Sequence, residues 1–198
     1  MRRIGILGGS FDPPHHGHIA LAKAALMQFG LERVMLMTSA SPPHKDGDAM
    51  TDAHIRHEMV TLAIEGQDGL CVFDYELNKS GKSYTAKTLT ELLTLYPDWE
   101  IYFIIGGDSL RDFPSWYHPE TVAEKCVLLV YPRSDVSDLA ELIKVRRAEY
   151  NADIRLIDAP TFDVSSTEIR ELIRTGGRAD ELLDERVLQF IKDKGLYV

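Results

Sequence analysis

Short apolar runs alternate with longer amphipathic stretches along this chain, and this alternation constrains the fold more than any other feature. The apolar runs predict buried strands at 4–7, 34–37, 71–73, 99–105, 127–131 and 154–157. The stretches between and after them predict helices at 16–29, 52–64, 85–95, 139–150, 166–174 and 184–194. Such alternation favours an α/β fold with a doubly wound, mostly parallel sheet and right-handed crossovers. Because residues 1–198 contain no internal repeat, low-complexity tract or linker, we predict a single domain.

The composition excludes several classes of protein. Apolar residues make up 44% of the chain, enough for one core and too many for a disordered chain. No apolar run is long enough to span a bilayer, and the first residues do not resemble a secretory signal, so we expect no membrane partner. Cys71 and Cys126 lie in apolar, strand-like runs, which favours reduced core cysteines in a cytoplasmic protein. The net charge of −9 argues against broad binding to nucleic acid but permits a small anionic substrate.

A glycine turn joins the first predicted strand to the first helix. It contains Gly8, Gly9, Ser10, Phe11, Asp12, Pro13, Pro14, His15, His16, Gly17 and His18. Backbone N–H groups and the dipole at the start of the helix favour an anion there, and glycine lets a ligand lie against the backbone. His15 and His18 stand three residues apart, so their side chains can share a face. We therefore predict a phosphate-handling active site in this turn.

Other interpretations of the two histidines remain open. Zinc would need a third ligand and supporting contacts. His44, His54 and Asp12 are conceivable ligands, but no recognisable spacing links them to the pair. A purely structural role for His15 and His18 is also possible, and phosphate contact is the favoured interpretation.

Two familiar nucleotide motifs are absent. Gly81-Lys82-Ser83 ends like a P-loop, but Glu76 occupies the position where the first glycine would stand. The dinucleotide fingerprint G-x-G-x-x-G does not follow the first predicted strand. The sequence therefore predicts neither a Walker-type NTPase nor an NAD-dependent dehydrogenase.

A second motif begins the helix predicted at 166–174. Ser165 and Glu168 have capping-box spacing, which by itself indicates only a helix start. A functional interpretation adds that Ser166 and Thr167 offer hydroxyl and N–H groups at a helix N-terminus, and that Arg170 can meet phosphate oxygens. Taken alone, the motif fits both interpretations equally well.

Together the two motifs resemble the HxGH nucleotidylyltransferase superfamily, whose fold is Rossmann-like. Further segments in the middle of the chain resemble the bacterial nicotinate-nucleotide adenylyltransferases within it. These segments are Pro42-Pro43-His44-Lys45, Ser83-Tyr84-Thr85, 104–110 and 113–117. The resemblance covers essentially the whole chain, in the same motif order.

The resemblance implies a reaction in which ATP and nicotinate mononucleotide give the dinucleotide and pyrophosphate, with Mg²⁺ held mainly by the phosphates of ATP. The phosphate of the mononucleotide attacks the α-phosphorus directly, without a covalent enzyme intermediate, as part of NAD biosynthesis. His18, His15 and Arg170 would be the catalytic residues. The ATP-binding residues would be Gly8, Gly9, Ser10, Phe11, His15, His18, Gly106, Asp108, Ser166, Thr167 and Arg170.

The resemblance also implies how the mononucleotide is held. Trp116 would stack on the pyridine ring, although a tryptophan in this loop could also fill core space. The remaining contacts would come from Ser39, Lys45, Thr85, Asp108, Tyr117 and Arg133. Thr85 and Tyr117 would bind the nicotinate carboxylate, Asp108 and Ser39 the ribose, and Lys45 and Arg133 the phosphate. Ala86-Lys87 departs from the family, where many members carry an aspartate, and this difference concerns the acceptor pocket and not the reaction.

Several alternatives compete with this assignment. Phosphopantetheine adenylyltransferases usually carry threonine in place of His15 and lack the tryptophan loop. Nicotinamide mononucleotide could replace the acid as acceptor. A non-catalytic nucleotide-binding module, or an RNA-dependent relative of the class I aminoacyl-tRNA synthetases, is disfavoured by the intact motifs and the acidic charge. The sequence is compatible with a homo-oligomer.

Overall fold

The computed structural model describes residues 1–40, 50–79, 81–132, 138–159 and 164–198. The strands are β1 Arg2–Gly9, β2 Arg33–Thr38, β3 Leu70–Phe73, β4 Trp99–Gly106, β5 Val127–Tyr131 and β6 Ile154–Leu156. The helices are α1 His16–Gln28, α2 Ala53–Ile64, α3 Thr85–Leu95, α4 Gly107–Arg111, α5 Pro119–Lys125, α6 Leu139–Tyr150, α7 Ser166–Arg174 and α8 Glu185–Lys194. A short 3₁₀ helix, Phe113–Ser115, follows α4.

The six strands form one sheet in the order β3-β2-β1-β4-β5-β6, and every neighbouring pair is parallel. The predicted α/β fold with a doubly wound parallel sheet is confirmed. The chain adds strands to one side of β1 and then crosses to β4 and adds strands in the other direction. The strand order therefore switches between β1 and β4, where ligands bind in sheets of this kind.

Apolar side chains cover both faces of the sheet. Successive residues of a strand point to opposite faces, so Ile6 packs in one buried cluster and Leu7 in the other. The cluster around Leu7 includes residues from α1, α2, α7 and α8. The cluster around Ile6 includes residues from α3, α5 and α6. Burial on both faces explains why the strand sequences are almost continuously apolar.

Most predicted elements have nearly the bounds that the sequence indicated, although β1 runs over Arg2–Gly9 where 4–7 was predicted. Two further differences concern helices. Asp52, not Thr51, is the N-cap of α2, because its carboxylate accepts hydrogen bonds from the backbone of His54 at 2.9 Å and Ile55 at 3.4 Å. α5 was not predicted, since it is short and begins at Pro119 with few apolar positions to mark it. In the part of the chain that the structure describes, no helix is long and apolar enough to cross a membrane.

Candidate active site

A cleft of about 490 Å³ lies at the carboxyl ends of β1 and β4, at the switch in strand order. It brings together most of the residues that the sequence assigned to nucleotide binding. Those that line it are Gly8, Gly9, Ser10, Phe11, His15, His18, Ser39, Thr85, Gly106, Asp108 and Trp116. Ser166, Thr167, Arg170 and Tyr117 do not line the cleft. Lys45 and Arg133 lie outside the described residues.

The two histidines are packed against each other at the start of α1. His15 is the N-cap residue and is buried. Its ring centroid lies 3.8 Å from that of His18, and its backbone N–H donates to Nδ1 of His18 at 3.2 Å. Because Nδ1 accepts a hydrogen bond, the neutral His18 ring carries its proton on Nε2, which makes Nε2 a donor. A ring nitrogen that donates suits a phosphate oxygen.

The motif at Ser165–Arg170 is attached to the histidine turn by two hydrogen bonds. The predicted capping box is present, with Glu168 Oε2 accepting from the Ser165 backbone at 2.8 Å and Ser165 Oγ accepting from the Glu168 backbone at 3.2 Å. Ser166 Oγ donates to the carbonyl of Pro13 at 2.8 Å. Arg170 Nη1 donates to the carbonyl of Asp12 at 2.8 Å. The two motifs, at opposite ends of the sequence, therefore form one assembly.

Trp116 has features of both interpretations that the sequence left open. Its ring is half-buried and packs on Phe113, with centroids 5.4 Å apart. It also lines the cleft. Its neighbour Tyr117 is 44% exposed and packs on Tyr84 at 4.6 Å. The side chain of Tyr117 faces a separate surface depression that Lys87 also lines.

Sequence reasoning missed Glu76, a buried carboxyl group in the wall of the cleft. Glu76 is only 4% exposed and accepts a hydrogen bond from Thr88 Oγ1 at 2.8 Å. Burial raises the pKa of Glu76, and the hydroxyl groups of Thr88, Ser83 and Ser39 oppose that shift. The sequence held no clear signal for this residue, since a glutamate in a polar loop is usually exposed.

Sequence reasoning also missed Arg56, which is 1% exposed on α2. Its guanidinium group donates to the carbonyls of Ser10 at 2.6 Å, Ser39 at 2.9 Å and Thr51 at 2.8 Å. Arg56 thus links the loops that follow β1 and β2. Burial lowers its pKa, which nearby acidic groups oppose, and a guanidinium group stays charged under these conditions. A signal existed, because residue 56 falls on the same helical face as the apolar positions 59, 60 and 63.

Metal ligation by the histidine pair receives no support from the described ranges. Within them, no three His, Cys, Asp or Glu side chains come close enough together to hold a metal ion. Asp12 accepts from the hydroxyl of Tyr197 at 2.6 Å and from the backbone of Thr51 at 3.3 Å. Two protein groups therefore already occupy its carboxylate.

Comparison with known proteins assigns the chain to a class and then to a family. A family model described as cytidylyltransferase-like matches residues 6–172, so the chain belongs to this family of nucleotidyltransferases. The probable nicotinate-nucleotide adenylyltransferase of Synechococcus sp. (strain JA-3-3Ab) is 41% identical over 197 residues, covering 100% of this chain and 95% of that protein. That of Clostridium tetani (strain Massachusetts / E88) is 39% identical over 199 residues, covering 100% of both. The chain therefore belongs to the nicotinate-nucleotide adenylyltransferase family.

Solved structures agree on the fold. Two structures of a Plasmodium falciparum nicotinic acid mononucleotide adenylyltransferase match this chain with TM-scores of 0.80 and 0.81 at 22% identity. Each match covers 100% of this chain and 98% of the other. One of those proteins is complexed with APC and the other with NaAD. At this identity the likeness establishes the shared architecture.

Proposed function

We propose that the cleft carries out the reaction for which the family is named, transfer of the adenylyl group from ATP to nicotinate mononucleotide. The products are nicotinate adenine dinucleotide and pyrophosphate. One observation supports this most directly: the His15–His18 pair stands at the switch in strand order, and the turn that precedes it is hydrogen-bonded, at Asp12 and Pro13, to side chains of α7. Trp116 lines the same cleft, so a flat aromatic ligand and a polyphosphate can meet there.

The chemistry needs alignment and charge neutralisation more than proton transfer. A phosphate oxygen of the mononucleotide forms a bond to the α-phosphorus of ATP, and the bond from that phosphorus to pyrophosphate breaks. The attacking oxygen is already anionic, so no general base is required and no covalent enzyme intermediate forms. His18 would donate from Nε2 to an oxygen that gains charge in the transition state, with His15 beside it. The N-terminus of α1 adds its dipole at the same place.

Mg²⁺ would enter the cleft as part of the substrate, as MgATP. The described residues bring no three metal-ligating side chains together, and oxygen atoms of a polyphosphate are ligands that Mg²⁺ prefers. The role of the protein is then to hold the complex through backbone N–H groups, Ser10 and the histidines. Arg170 donates to the carbonyl of Asp12 in the histidine turn. Its contact with the outer phosphates of ATP stays a prediction.

The acceptor half of the cleft would hold the mononucleotide. Trp116 would stack on the pyridine, and Asp108 and Ser39 would bind ribose hydroxyl groups. The N–H groups near Thr85 and Tyr117 would receive the carboxylate. Contacts from Lys45 and Arg133 to the phosphate stay predictions, as do a cytoplasmic location and a homo-oligomer.

A steady-state assay of pyrophosphate release tests the proposal. The purified chain is given MgATP with nicotinate mononucleotide, nicotinamide mononucleotide or phosphopantetheine, without RNA. We expect the highest kcat/KM with nicotinate mononucleotide. Equal or better kcat/KM with the amide would contradict acid specificity, and release with phosphopantetheine alone would replace the proposed acceptor. No release with any acceptor would indicate a binding module.

A further inference from the structure

Phe11 adopts a backbone conformation that residues other than glycine rarely take. Its φ angle is +49°, in the left-handed region. In this conformation its ring is 1% exposed and meets the ring of His18 edge to face, with centroids 5.0 Å apart. The ring also lies over Gly9, where an added Cβ would stand 3.0 Å from Phe11 Cζ. His18 is therefore packed between the rings of Phe11 and His15.

Such a conformation persists only where the surrounding structure fixes it. The residue before Phe11 is fixed by Arg56, which donates to the Ser10 carbonyl at 2.6 Å. The residue after it is fixed by Arg170, which donates to the Asp12 carbonyl at 2.8 Å. Both flanking carbonyls thus have a charged donor, and hydrogen bonds from charged donors are the stronger kind.

A third bond fixes the same loop through a side chain. The hydroxyl of Tyr197 donates to Oδ1 of Asp12 at 2.6 Å, across 185 positions of sequence. Asp12 is 4% exposed and Tyr197 is half-buried, so water competes little for this bond. Burial and the neighbouring Asp12 carboxylate raise the pKa of Tyr197, which keeps its hydroxyl protonated and able to donate.

We propose that Tyr197 is a positioning residue of the transfer centre, the name used here for the His15–His18 pair and the loop before it. It acts through Asp12 to keep Phe11 in its left-handed conformation, and Phe11 in turn orients the His18 ring. This proposal rests on the proposed function, since it concerns the rate of the same transfer. Tyr197 itself does not line the cleft, so it would affect the orientation of the His18 ring without contacting either nucleotide.

The test compares two tyrosine variants that each lose one hydroxyl group. Tyr197→Phe keeps the ring and removes the bond to Asp12. Tyr102→Phe is the matched control, because the Tyr102 hydroxyl also donates to a carboxylate, that of Glu100 at 3.1 Å, and Tyr102 does not line the cleft. Misplacement of a catalytic group is costly, so we expect Tyr197→Phe to lower kcat about tenfold, with both KM values changed by less than about twofold. The control should keep the kcat of the wild type.

A double-variant cycle separates positioning from general loosening of the fold. Phe11→Leu should lower kcat by itself, because the aromatic contact with His18 is lost. If Tyr197 acts through Phe11, adding Tyr197→Phe to Phe11→Leu should lower kcat by less than about twofold further. Asp12→Ala removes both carboxylate oxygens, and with them the acceptor of the Tyr197 hydroxyl. This variant should reproduce the loss in kcat and provides a second route to the result if Tyr197→Phe folds poorly.

Three outcomes would overturn the proposal. The first is a wild-type kcat in Tyr197→Phe. The second is a double variant whose loss in kcat equals the product of the losses of the two single variants. The third is a rise in KM for either nucleotide without a fall in kcat. These results are distinct from failure of the proposed function, in which the wild-type chain releases no pyrophosphate at all.

Discussion

His18 has one ring nitrogen committed to the backbone of His15, which leaves its chemistry to Nε2. We expect His18→Ala to lower kcat by a factor of about 10² to 10³, the scale seen when one transition-state donor is removed. Pyrophosphate release at saturating MgATP and nicotinate mononucleotide measures it. His54→Ala is the control, since His54 is an exposed histidine on α2. If kcat is kept and only KM for ATP rises, His18 binds ATP and does not stabilise the transition state.

Trp116 can be tested against a tryptophan that only packs. Trp116→Ala should raise KM for the mononucleotide by about tenfold, because stacking on an aromatic ring is lost, and should leave KM for ATP within about twofold. Trp99 lies at the other end of β4 and stacks on Tyr96 at 4.1 Å, outside the cleft. Trp99→Ala should lower the unfolding temperature without changing either KM. Equal losses for both nucleotides in Trp116→Ala would favour the interpretation that Trp116 fills core space.

Among single residues, the sequence predicted those that belong to a recognisable motif and missed those that hold a motif in place by buried contacts. His15, His18 and Trp116 were found because their spacing and their neighbouring residues in the sequence resemble those of a family. Glu76 and Arg56 have no motif, and burial is what distinguishes them from ordinary charged residues. Burial depends on which loops meet in space, and one chain's local pattern does not contain that information. Arg56 could have been suspected as the one charged position on an apolar helical face.

Among the elements, α2 has a role that its length and pattern do not suggest. It carries Arg56, whose three close hydrogen bonds connect the loops after β1 and β2. Arg56→Met would leave these partly buried carbonyls without this donor. One unsatisfied buried group costs about 1–3 kcal/mol, so we expect the free energy of unfolding to fall by about that amount or more.

Urea denaturation measures this change, and Arg174→Met is its control. Arg174 is exposed and pairs with Glu171 at 2.6 Å on α7. Exposed ion pairs contribute about 0–1 kcal/mol, so the control should unfold nearly as the wild type does. A loss in Arg56→Met no greater than that of Arg174→Met would show that the buried guanidinium group is not what joins the two loops.

Element bounds were predictable where local signals were complete. α7 begins at a serine–glutamate capping box and α3 follows a polar loop, and both have the predicted bounds. The contacts between elements were not predictable in this way. Ser166 bonds to Pro13 across 153 positions and Arg170 to Asp12 across 158. The placement of both motifs just after predicted strands, and the resemblance to a family, suggested that these segments meet, but the resemblance assigned their side chains to phosphate contacts and not to these bonds.

For the molecule as a whole, the free energy of unfolding should depend on pH because of the buried Glu76. Its folded-state pKa is raised above the ordinary value of 4.5 by burial. The folded protein therefore keeps a proton that the unfolded chain loses, and this contribution is full below the ordinary pKa. It is lost as the pH rises through the raised value. We expect wild-type stability, relative to Glu76→Gln, to fall as pH rises from about 4 to 8.

Urea denaturation over that pH range measures the difference between the two chains. Glu91→Gln is the control, because its hydrogen bond with Lys79 lowers the pKa of Glu91. That contribution is fully present above the ordinary pKa, so the difference between wild type and Glu91→Gln should stay nearly constant over most of this range and shrink only at its acid end. A constant difference between wild type and Glu76→Gln across the range would contradict the shift assigned to Glu76.

The bonds that hold the histidine loop also set an order of events during synthesis. Pro13 and Asp12 leave the ribosome long before Ser166, Arg170 and Tyr197, which lie 153, 158 and 185 positions later. Contacts this distant in sequence form only after the intervening chain is made. A nascent or prematurely terminated chain that ends before α7 carries both histidines and Arg56, but lacks the three bonds that Ser166, Arg170 and Tyr197 make to their loop. In incomplete chains the transfer centre therefore lacks these three bonds. The full set of bonds at this loop can form only when the later part of the chain is folded in place.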